Sequence, residues 1–322
     1  MSDESEPSNQ AQPELTLAQN PGGAPDAAPD TAPDTGQDSA PPADDEPIEL
    51  TEALAESDAR PTRAPPSAGF SGLGIALGFL TRLPFGPRGA QEPGALARSM
   101  GMFPLVGVLV GGIGGAVYAL AHLLLPAAIA ALLALATTIL VTGALHEDGL
   151  ADTADGFGGG GNRAGKLAIM RDSRIGAFGM IALTLALGLR AVALAEIGVA
   201  TGDFGGALTL VGAMVAAHAL ARAAIPVAMM ALIPARADGL GAAAGQPGAV
   251  QTGIAVTLAV VIAALVLSPP GAALAALAGA TIGAVGMVLI AHAQIGGYTG
   301  DVLGAVEQAA ETLALLAILA AL

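Results

Sequence analysis

Residues 145–179 read LHEDGLADTADGFGGGGNRAGKLAIMRDSRIGAFG and join two long apolar runs, at residues 126–145 and 177–200. This stretch concentrates charge in a chain in which 53% of the residues are hydrophobic and only 12% are charged. Acidic side chains come first, a glycine run follows, and basic side chains come last. We therefore place the chemistry in this stretch and expect the apolar segments around it to form a membrane scaffold.

The acidic half of the stretch predicts a metal site. If it continues the preceding apolar helix, Asp148, Asp152 and Asp155 stand at positions i, i+4 and i+7 and line one stripe of that helix. Carboxylates so placed repel each other unless a cation lies among them, and oxygen ligands favour Mg²⁺ or Mn²⁺. His146 points about 160° away from Asp148 on an ideal helix. It is a candidate general base only if the helix ends before it or bends at Gly149.

The second half predicts a phosphate site. The helix is expected to break at Gly156 into a glycine run that exposes backbone amides, and basic residues follow at Arg163, Lys166, Arg171 and Arg174. Amides and basic side chains beside a metal are the elements of phosphoryl transfer. The alternative is a set of solvated charges in a loop between membrane helices. The segregation of acids from bases and the length of the glycine run favour the phosphate site.

The remaining sequence predicts an all-α, polytopic integral membrane bundle of about six or seven transmembrane helices. The run at 69–80 is too short to cross a bilayer and is expected to be interfacial or re-entrant. Glycines four residues apart, at Gly107, Gly111 and Gly115 and at Gly279 and Gly283, predict close helix packing. The apolar runs of sufficient length lie at residues 102–121, 126–145, 177–200, 206–233, 251–268, 271–291 and 306–322.

Residues 1–68 have a different composition from the membrane domain, 69–322. They hold 15 acidic and two basic residues, which gives them a net charge of −13 against −2 for the rest of the chain. Because they are rich in Pro, Ala, Asp and Glu and lack aromatic residues, they are predicted to be a disordered acidic tail. They do not have the pattern of a secretory signal. The chain contains no cysteine, which excludes disulfides and thiolate metal sites.

The distribution of Lys and Arg predicts how the chain crosses the membrane. Loops that carry these residues are expected in the cytoplasm, and loops without them on the opposite side. The predicted cytoplasmic loops are those around Arg88, Asn162, Ala237 and, by alternation, Tyr298, and the predicted opposite loops are those at Leu124, Asp203 and Pro269. The charged stretch therefore faces the cytoplasm, as expected for a protein of the cell inner membrane.

The chain resembles the cobalamin synthase family, also called adenosylcobinamide-GDP ribazoletransferase, whose members are integral membrane enzymes of late cobalamin biosynthesis. The resemblance extends from about residue 70 to the C-terminus. Glu147 stands where the family pattern has an apolar residue. It is therefore a candidate for a fourth acidic contact beside Asp148, Asp152 and Asp155. The matching residues are His146 with Asp148–Gly156, Ile169–Gly176, Thr81–Pro84 with Phe103–Leu105, Arg222, Gly239–Gly241 and Gly296–Glu307.

The resemblance implies that the ribose 3′-hydroxyl of α-ribazole, or of its 5′-phosphate, attacks adenosylcobinamide-GDP and expels GMP. It implies Mg²⁺, with Mn²⁺ as the substitute, on Asp148, Asp152 and Asp155, while Asp172 is either a further ligand or an ion-pair partner. The expected partners are the two substrates and the lipid bilayer, and no nucleic acid is expected to bind. Whether the protein forms a homo-oligomer is left open. The other residues implied in catalysis or substrate binding are His146, Arg82, Lys166, Arg171, Arg174, Arg222, Asp301 and Glu307.

Arg190, Glu196, His218 and Arg222 fall inside predicted spans, where a functional or paired role is expected. Arg190 and Glu196 are interpreted either as functional residues or as members of interhelical hydrogen bonds, and His218 as an interior histidine with a partner. Arg222 coincides with a family position and is expected to contact either substrate phosphate or the acidic cluster.

Two other functions fit parts of the sequence. A CDP-alcohol phosphotransferase acting on lipid uses a similar multi-aspartate site, but Asp152 occupies the position where its arginine is expected. A membrane transporter would place its site on charges within the spans, whereas most charges of the membrane domain lie in loops on one face. No paired broken helices with inverted symmetry are evident either.

Overall fold

The computed structural model describes residues 70–85, 92–200 and 203–322. The predicted disorder of residues 1–68 lies outside these ranges. In the described part, the only pairing of extended backbone is a single bridge between Pro234 and Tyr298. The helices are α1 Phe70–Leu80, α2 Ala95–Ser99, α3 Phe103–His122, α4 Ala127–Thr142, α5 Leu145–Gly159, α6 Arg163–Ile169, α7 Ala177–Ala200, α8 Asp203–Ala231, α9 Leu240–Ala243, α10 Ala249–Val266, α11 Pro270–Ile295 and α12 Gly300–Ala321.

Six segments of the described chain are long and apolar enough to cross a membrane, and the bent pair of α4 and α5 would bring the number to seven. The chain is therefore a multi-pass membrane protein, and the predicted all-α membrane bundle is confirmed. The last span starts at Gly300 rather than at residue 306, because residues 300–305, which include Asp301, already belong to α12. The six segments are Ala95–His122, Ala177–Ala200, Gly205–Ala231, Ala249–Val266, Pro270–Ile295 and Gly300–Ala321.

Helices α8 and α12 form the centre of the bundle. In its most apolar window, α8 is 83% buried and α12 is 72% buried, whereas α7 and α10 are each 22% buried. Helix α8 packs against α3, α10 and α12, and α12 packs in addition against α5 and α11. The outer helices present large apolar side chains to the surroundings, such as Leu185, Leu265 and Leu289. Such an apolar surface suits contact with lipid.

The glycines of α3 allow it to approach α8 closely, as predicted. A Cβ on Gly111 would lie 2.5 Å from the carbonyl oxygen of Met214, and one on Gly107 would clash with the backbone of His218. Gly279 and Gly283 of α11 face the backbone of α12 in the same way. Backbone atoms cannot move aside as a side chain can, so these glycines fix the distances between the central helices.

Gly111→Ala is expected to destabilise the bundle by about 1–3 kcal/mol, because the added methyl group forces α3 away from α8. Gly112→Ala is the matched control, since a Cβ there has no neighbour within 4 Å. The control is expected to melt at or above the wild-type temperature because alanine favours the helix. Thermal unfolding in detergent measures both variants, and equal melting temperatures would contradict the close contact.

A 90° bend separates α4 from α5. It is formed by Gly143 and Ala144, which both adopt positive φ angles, 67° and 58°. The acidic stripe therefore does not continue the preceding apolar helix, which was the condition under which its spacing was considered. The predicted spacing of the aspartates at i, i+4 and i+7 on one helix is nevertheless correct, because all three lie within α5. The predicted break at Gly156 is wrong, since α5 continues to Gly159.

The glycine run serves helix packing. A Cβ on Gly156 would clash with Met170, and one on Gly160 would clash with Lys166. Gly158 similarly leaves room for the ring of Phe178. The run therefore lets α6 and the start of α7 lie directly on the end of α5, and most of its residues are helical instead of forming an open amide loop.

Candidate active site

A cavity of about 320 Å³ lies between the starts of α5 and α12. Its polar side chains are His146, Asp148, Arg236 and Asp301. Glycines lie between them and leave the backbone bare, at positions 149, 239, 241, 300 and 304. The other walls are apolar, formed by residues that include Phe79, Met100, Phe103, Ile225, Met229 and Leu303. A few converging polar groups in an apolar pocket are typical of a small-molecule site.

The acidic stripe runs from this cavity along α5. Asp148 is exposed, Asp152 is half-buried and Asp155 is buried. Burial, together with the negative charges of Asp148, Asp301 and Asp155, raises the pKa of Asp152 to about 7, although Arg236 acts in the opposite direction. The stripe and Asp301 thus crowd negative charge at one place, and a hard divalent cation would relieve this repulsion.

Asp155 has a separate contact that ties α5 to α7. Its carboxylate accepts hydrogen bonds from the backbone N–H groups of Gly176, at 2.7 Å, and Gly179, at 2.9 Å. A Cβ on either glycine would clash with this carboxylate. A carboxylate at a helix N-terminus satisfies amides that lack partners and interacts favourably with the helix dipole. Asp155 therefore positions the start of α7. Among the stripe residues, Asp148 and Asp152 have carboxylates that form no such contact with another described helix.

Two loops meet beside the cavity: the loop after α8 carries Arg236, and the loop before α12 leads directly to Asp301 at the start of that helix. The N–H of Ala235 donates to the carbonyl of Tyr298 at 2.7 Å, and the N–H of Tyr298 donates to that of Ile233 at 2.9 Å. This pairing places Arg236 next to Asp301, with Nη2 of the arginine 3.2 Å from Oδ2 of the carboxylate. The cavity thus receives one basic and one acidic side chain from segments far apart in sequence.

A network of buried charges lies in the interior of the bundle, around Glu311 of α12. Its carboxylate is 2.9 Å from Nη1 of Arg190, 2.6 Å from Nδ1 of His218 and 2.9 Å from Nη1 of Arg222. All four residues are at most 3% exposed. Arg222 also pairs with Glu307, which is fully buried. Helices α7, α8 and α12 are therefore joined by charge pairing as well as by apolar contact.

The match to the cobalamin-5-phosphate synthase family model covers residues 72–319 and so includes the cavity, the acidic stripe and the buried network. The chain belongs to this family. It is 47% identical over 245 residues to the adenosylcobinamide-GDP ribazoletransferase of Bradyrhizobium diazoefficiens, a match that covers 76% of this chain and 91% of the relative. It is 45% identical over 255 residues to that of Azorhizobium caulinodans, covering 77% and 94%. No solved structure matches the chain.

In this member of the synthase family, the basic residues predicted to bind phosphate contact other protein groups. Arg171 forms two short contacts with Asp238, at 2.5 and 2.7 Å, and the side chain of Lys166 donates to Gln294. Arg163 donates to the carbonyl of Ile295 at 2.8 Å. None of these basic residues lines the cavity. They tie α6 and the loop after it to the loop that follows α8 and to the C-terminal end of α11.

Arg174 and Asp172 form an exposed ion pair outside the cavity, with Nη2 and Oδ2 2.6 Å apart. Hydrogen bonds from the side chain and the backbone of Arg174 lower the pKa of Asp172 to about 2. Of the two interpretations of Asp172, the structure supports the ion-pair partner. Both residues border a separate open depression beside Asp155 and Phe178.

The structure separates the remaining predicted residues into interior, cavity and surface positions. Glu307 is interior and pairs with Arg222. Neither of these two residues lines the cavity, whereas Asp301 does. Glu147 is interior as well, since it accepts from Nε2 of Gln308 at 3.2 Å, and it does not join the acidic stripe. Arg82 is exposed at the bend between α4 and α5, where it packs against Gly143.

His146 borders the cavity but faces the network. Although α4 ends before His146, the residue lies in the same helix as Asp148, α5, which continues through Gly149, so the two side chains leave that helix about 160° apart. Its ring is buried, and Nδ1 lies 3.7 Å from Oε2 of Glu307. His218 has the partner expected of an interior histidine, and Arg190 is a paired residue of the network.

Within the described residues, the one group of three metal-ligating side chains whose ligand atoms all lie within 4.8 Å is His218, Glu307 and Glu311. The guanidinium groups of Arg190 and Arg222 already balance these carboxylates. Charge pairing therefore explains this group without a metal.

The sequence did not single out Glu311 or Arg236. The signal for Glu311 was its position four residues after Glu307 in a predicted span, where a second carboxylate on the same helix face requires a partner. The signal for Arg236 was its proximity to the motif Gly239–Gly241. In the sequence it counted only as a charge of the loop around Ala237.

Proposed function

We propose that this protein is an adenosylcobinamide-GDP ribazoletransferase. The observation that carries the proposal is the cavity at the acidic stripe, in a chain that is 47% and 45% identical to two proteins of this name over 91% and 94% of their lengths. In the reaction, the 3′-hydroxyl oxygen of α-ribazole or of its 5′-phosphate forms a bond to the corrinoid-side phosphorus of adenosylcobinamide-GDP. The bond from that phosphorus to the bridging oxygen breaks, GMP leaves with the electron pair, and the hydroxyl proton is released.

The carboxylates of Asp148 and Asp152 would hold Mg²⁺, since their oxygens are the donors that this ion prefers. Bound there, the ion would supply neutralisation of the diphosphate charge. Asp155 contributes through its contacts with the start of α7, which fix the position of α5. The apolar walls of the cavity limit the access of water, and this favours transfer to the ribose hydroxyl over hydrolysis.

The loops that carry the family motifs lie together at one end of the bundle. Arg171 contacts Asp238, Arg163 contacts Ile295, and Arg236 contacts Asp301, so the loops after α5, α8 and α11 share one face. We assign this face to the cytoplasm of a cell with the protein in its inner membrane, because the segments after α5 and α8 hold Lys and Arg residues, whereas the opposite turns at residues 122–126, 201–205 and 268–271 hold none.

Single cysteines at Asn162 and Ala237 are expected to react with a membrane-impermeant maleimide only in inverted vesicles, and cysteines at Leu124 and Pro269 only in whole cells. All four positions are exposed, and the native chain has no cysteine that must first be removed. Labelling of position 162 from outside the cell would reverse the assigned orientation. Labelling of 162 and 237 from opposite sides would contradict the shared face.

The direct test of the function is to incubate the purified full chain with adenosylcobinamide-GDP, α-ribazole and Mg²⁺ in lipid nanodiscs. The expected result is a cobalamin product together with an equal amount of GMP. A parallel reaction without α-ribazole distinguishes transfer from hydrolysis. A folded protein that releases neither product would contradict the proposal, and solute uptake into liposomes by the same preparation would favour a transporter.

A further inference from the structure

Arg236 is the single Lys or Arg residue among the described residues that line the cavity. Its side chain is 17% exposed, and its Nη1 atom is buried without a hydrogen-bond partner. A guanidinium N–H that is removed from water without an acceptor is costly, and most such groups in proteins have a partner. The position therefore favours a ligand that brings an acceptor, ideally a negatively charged oxygen.

The neighbouring groups hold Arg236 in place. Its Nη2 lies 3.2 Å from Oδ2 of Asp301, which also accepts from Oγ1 of Thr299 at 3.1 Å. Thr299 in turn caps α12 by accepting from the N–H of Val302. One edge of the guanidinium is therefore fixed by Asp301, and the other nitrogen is left for a ligand.

The cavity around Arg236 is also bordered by residues without side chains. Gly239 and Gly241 border it on the same loop, and Gly300 borders it at the start of α12. A Cβ on Gly241 would lie 2.8 Å from the backbone nitrogen of Gly300, so the two chain segments touch without side chains between them. Small residues and exposed backbone beside one arginine are typical of places where a phosphate approaches the chain closely.

The basic residues after the acidic stripe that were predicted to bind phosphate have protein partners. Lys166, Arg171 and Arg174 contact Gln294, Asp238 and Asp172, and none of the three borders the cavity. Arg222 is held by Glu307 and Glu311 in the interior. The acidic residues of the cavity, Asp148 and Asp301, would repel a diphosphate in the absence of a balancing positive charge.

We propose that Arg236 is the residue that binds the diphosphate of the nucleotide-activated corrinoid, with Asp301 as the residue that positions it. This inference rests on the proposed function, because it names how the same cavity recognises one of its two substrates. Nη1 donates to a phosphate oxygen, while Nη2 keeps its contact with Asp301. The arginine thus adds a positive charge to a cavity whose other charged side chains, among the described residues, are the carboxylates of Asp148 and Asp301.

The test measures binding of two corrinoids to the full chain in nanodiscs, adenosylcobinamide-GDP and adenosylcobinamide, which lacks phosphate. Arg236→Ala is expected to weaken binding of the diphosphate ligand by about 10- to 100-fold, the effect of one charge-assisted hydrogen bond, and to leave binding of the phosphate-free ligand unchanged. Arg236→Lys is expected to lie between wild type and Arg236→Ala, because lysine keeps the charge but loses the planar donor pair. Arg98→Ala is the matched control, since Arg98 is an exposed arginine paired with Glu92.

Equal binding of the diphosphate ligand by wild type and Arg236→Ala would overturn the assignment of Arg236. An equal loss for both ligands would also overturn it, because Arg236 would then act only on the fold. Neither result bears on the activity itself, which is measured separately as cobalamin formation by the wild-type chain. Absence of that product in the wild type, with both corrinoids still bound, would instead contradict the proposed function.

Discussion

Asp148→Asn and Asp152→Asn are each expected to lower the rate of cobalamin formation by about a thousandfold, because a positioned metal ion contributes several kcal/mol to transition-state stabilisation. Each substitution removes one negative oxygen from the group of carboxylates beside the cavity. EDTA is expected to abolish the activity of the wild type, and Mg²⁺ or Mn²⁺ to restore it. Binding of Mn²⁺, measured by electron paramagnetic resonance, provides a second readout that does not depend on turnover.

Three outcomes separate the roles within the stripe. Asp148→Asn and Asp152→Asn are expected to lose Mn²⁺ binding while they retain the wild-type melting temperature. Asp155→Asn is expected to lower the melting temperature, because the amide nitrogen of asparagine cannot accept from the N–H groups of Gly176 and Gly179. Glu92→Gln is the control for loss of a carboxylate at an exposed ion pair. Full activity and full Mn²⁺ binding in both Asp148→Asn and Asp152→Asn would refute the metal site.

The apolar spans and the acidic stripe were predictable because both depend on local sequence patterns. A helix that crosses lipid needs about 20 predominantly apolar residues, and Asp148, Asp152 and Asp155 keep their spacing in any helix that contains them. The bend before them was not predictable. It requires a positive φ at Ala144, which alanine rarely adopts, and the surrounding structure must impose it.

The partners of the basic residues could not be predicted from sequence patterns either. Lys166 and Arg171 have the composition of a phosphate site, but their contacts with Gln294 and Asp238 join segments that are 128 and 67 residues apart. Arg236 reached the cavity for the same reason, through the pairing of its loop with the loop around Tyr298. Residue types predicted the chemistry of this face, whereas tertiary contacts determined which basic residue lines the cavity.

The buried network links the interior of the bundle to the cavity. Glu311 and Asp301 lie on the same helix, α12, and Glu311 is held by Arg190 of α7 and Arg222 of α8. These contacts fix the rotation and the axial position of α12 relative to both helices. The position of Asp301, and through it that of Arg236, therefore depends on charge pairs in the bundle interior.

Glu311→Gln is expected to destabilise the protein by about 3–5 kcal/mol, because it leaves two buried guanidinium groups without their shared carboxylate. Glu196→Gln is the matched control, since Glu196 is an exposed glutamate of α7 outside the network, and its melting temperature is expected to stay at the wild-type value. Unfolding in detergent measures both. The double variant Arg190→Gln with Glu311→Gln is expected to lose less stability than the two single variants added together, because removal of both charges leaves fewer unpaired groups. Additive losses would show that Arg190 and Glu311 are not coupled, and the assignment of α12's position to this network would then be wrong.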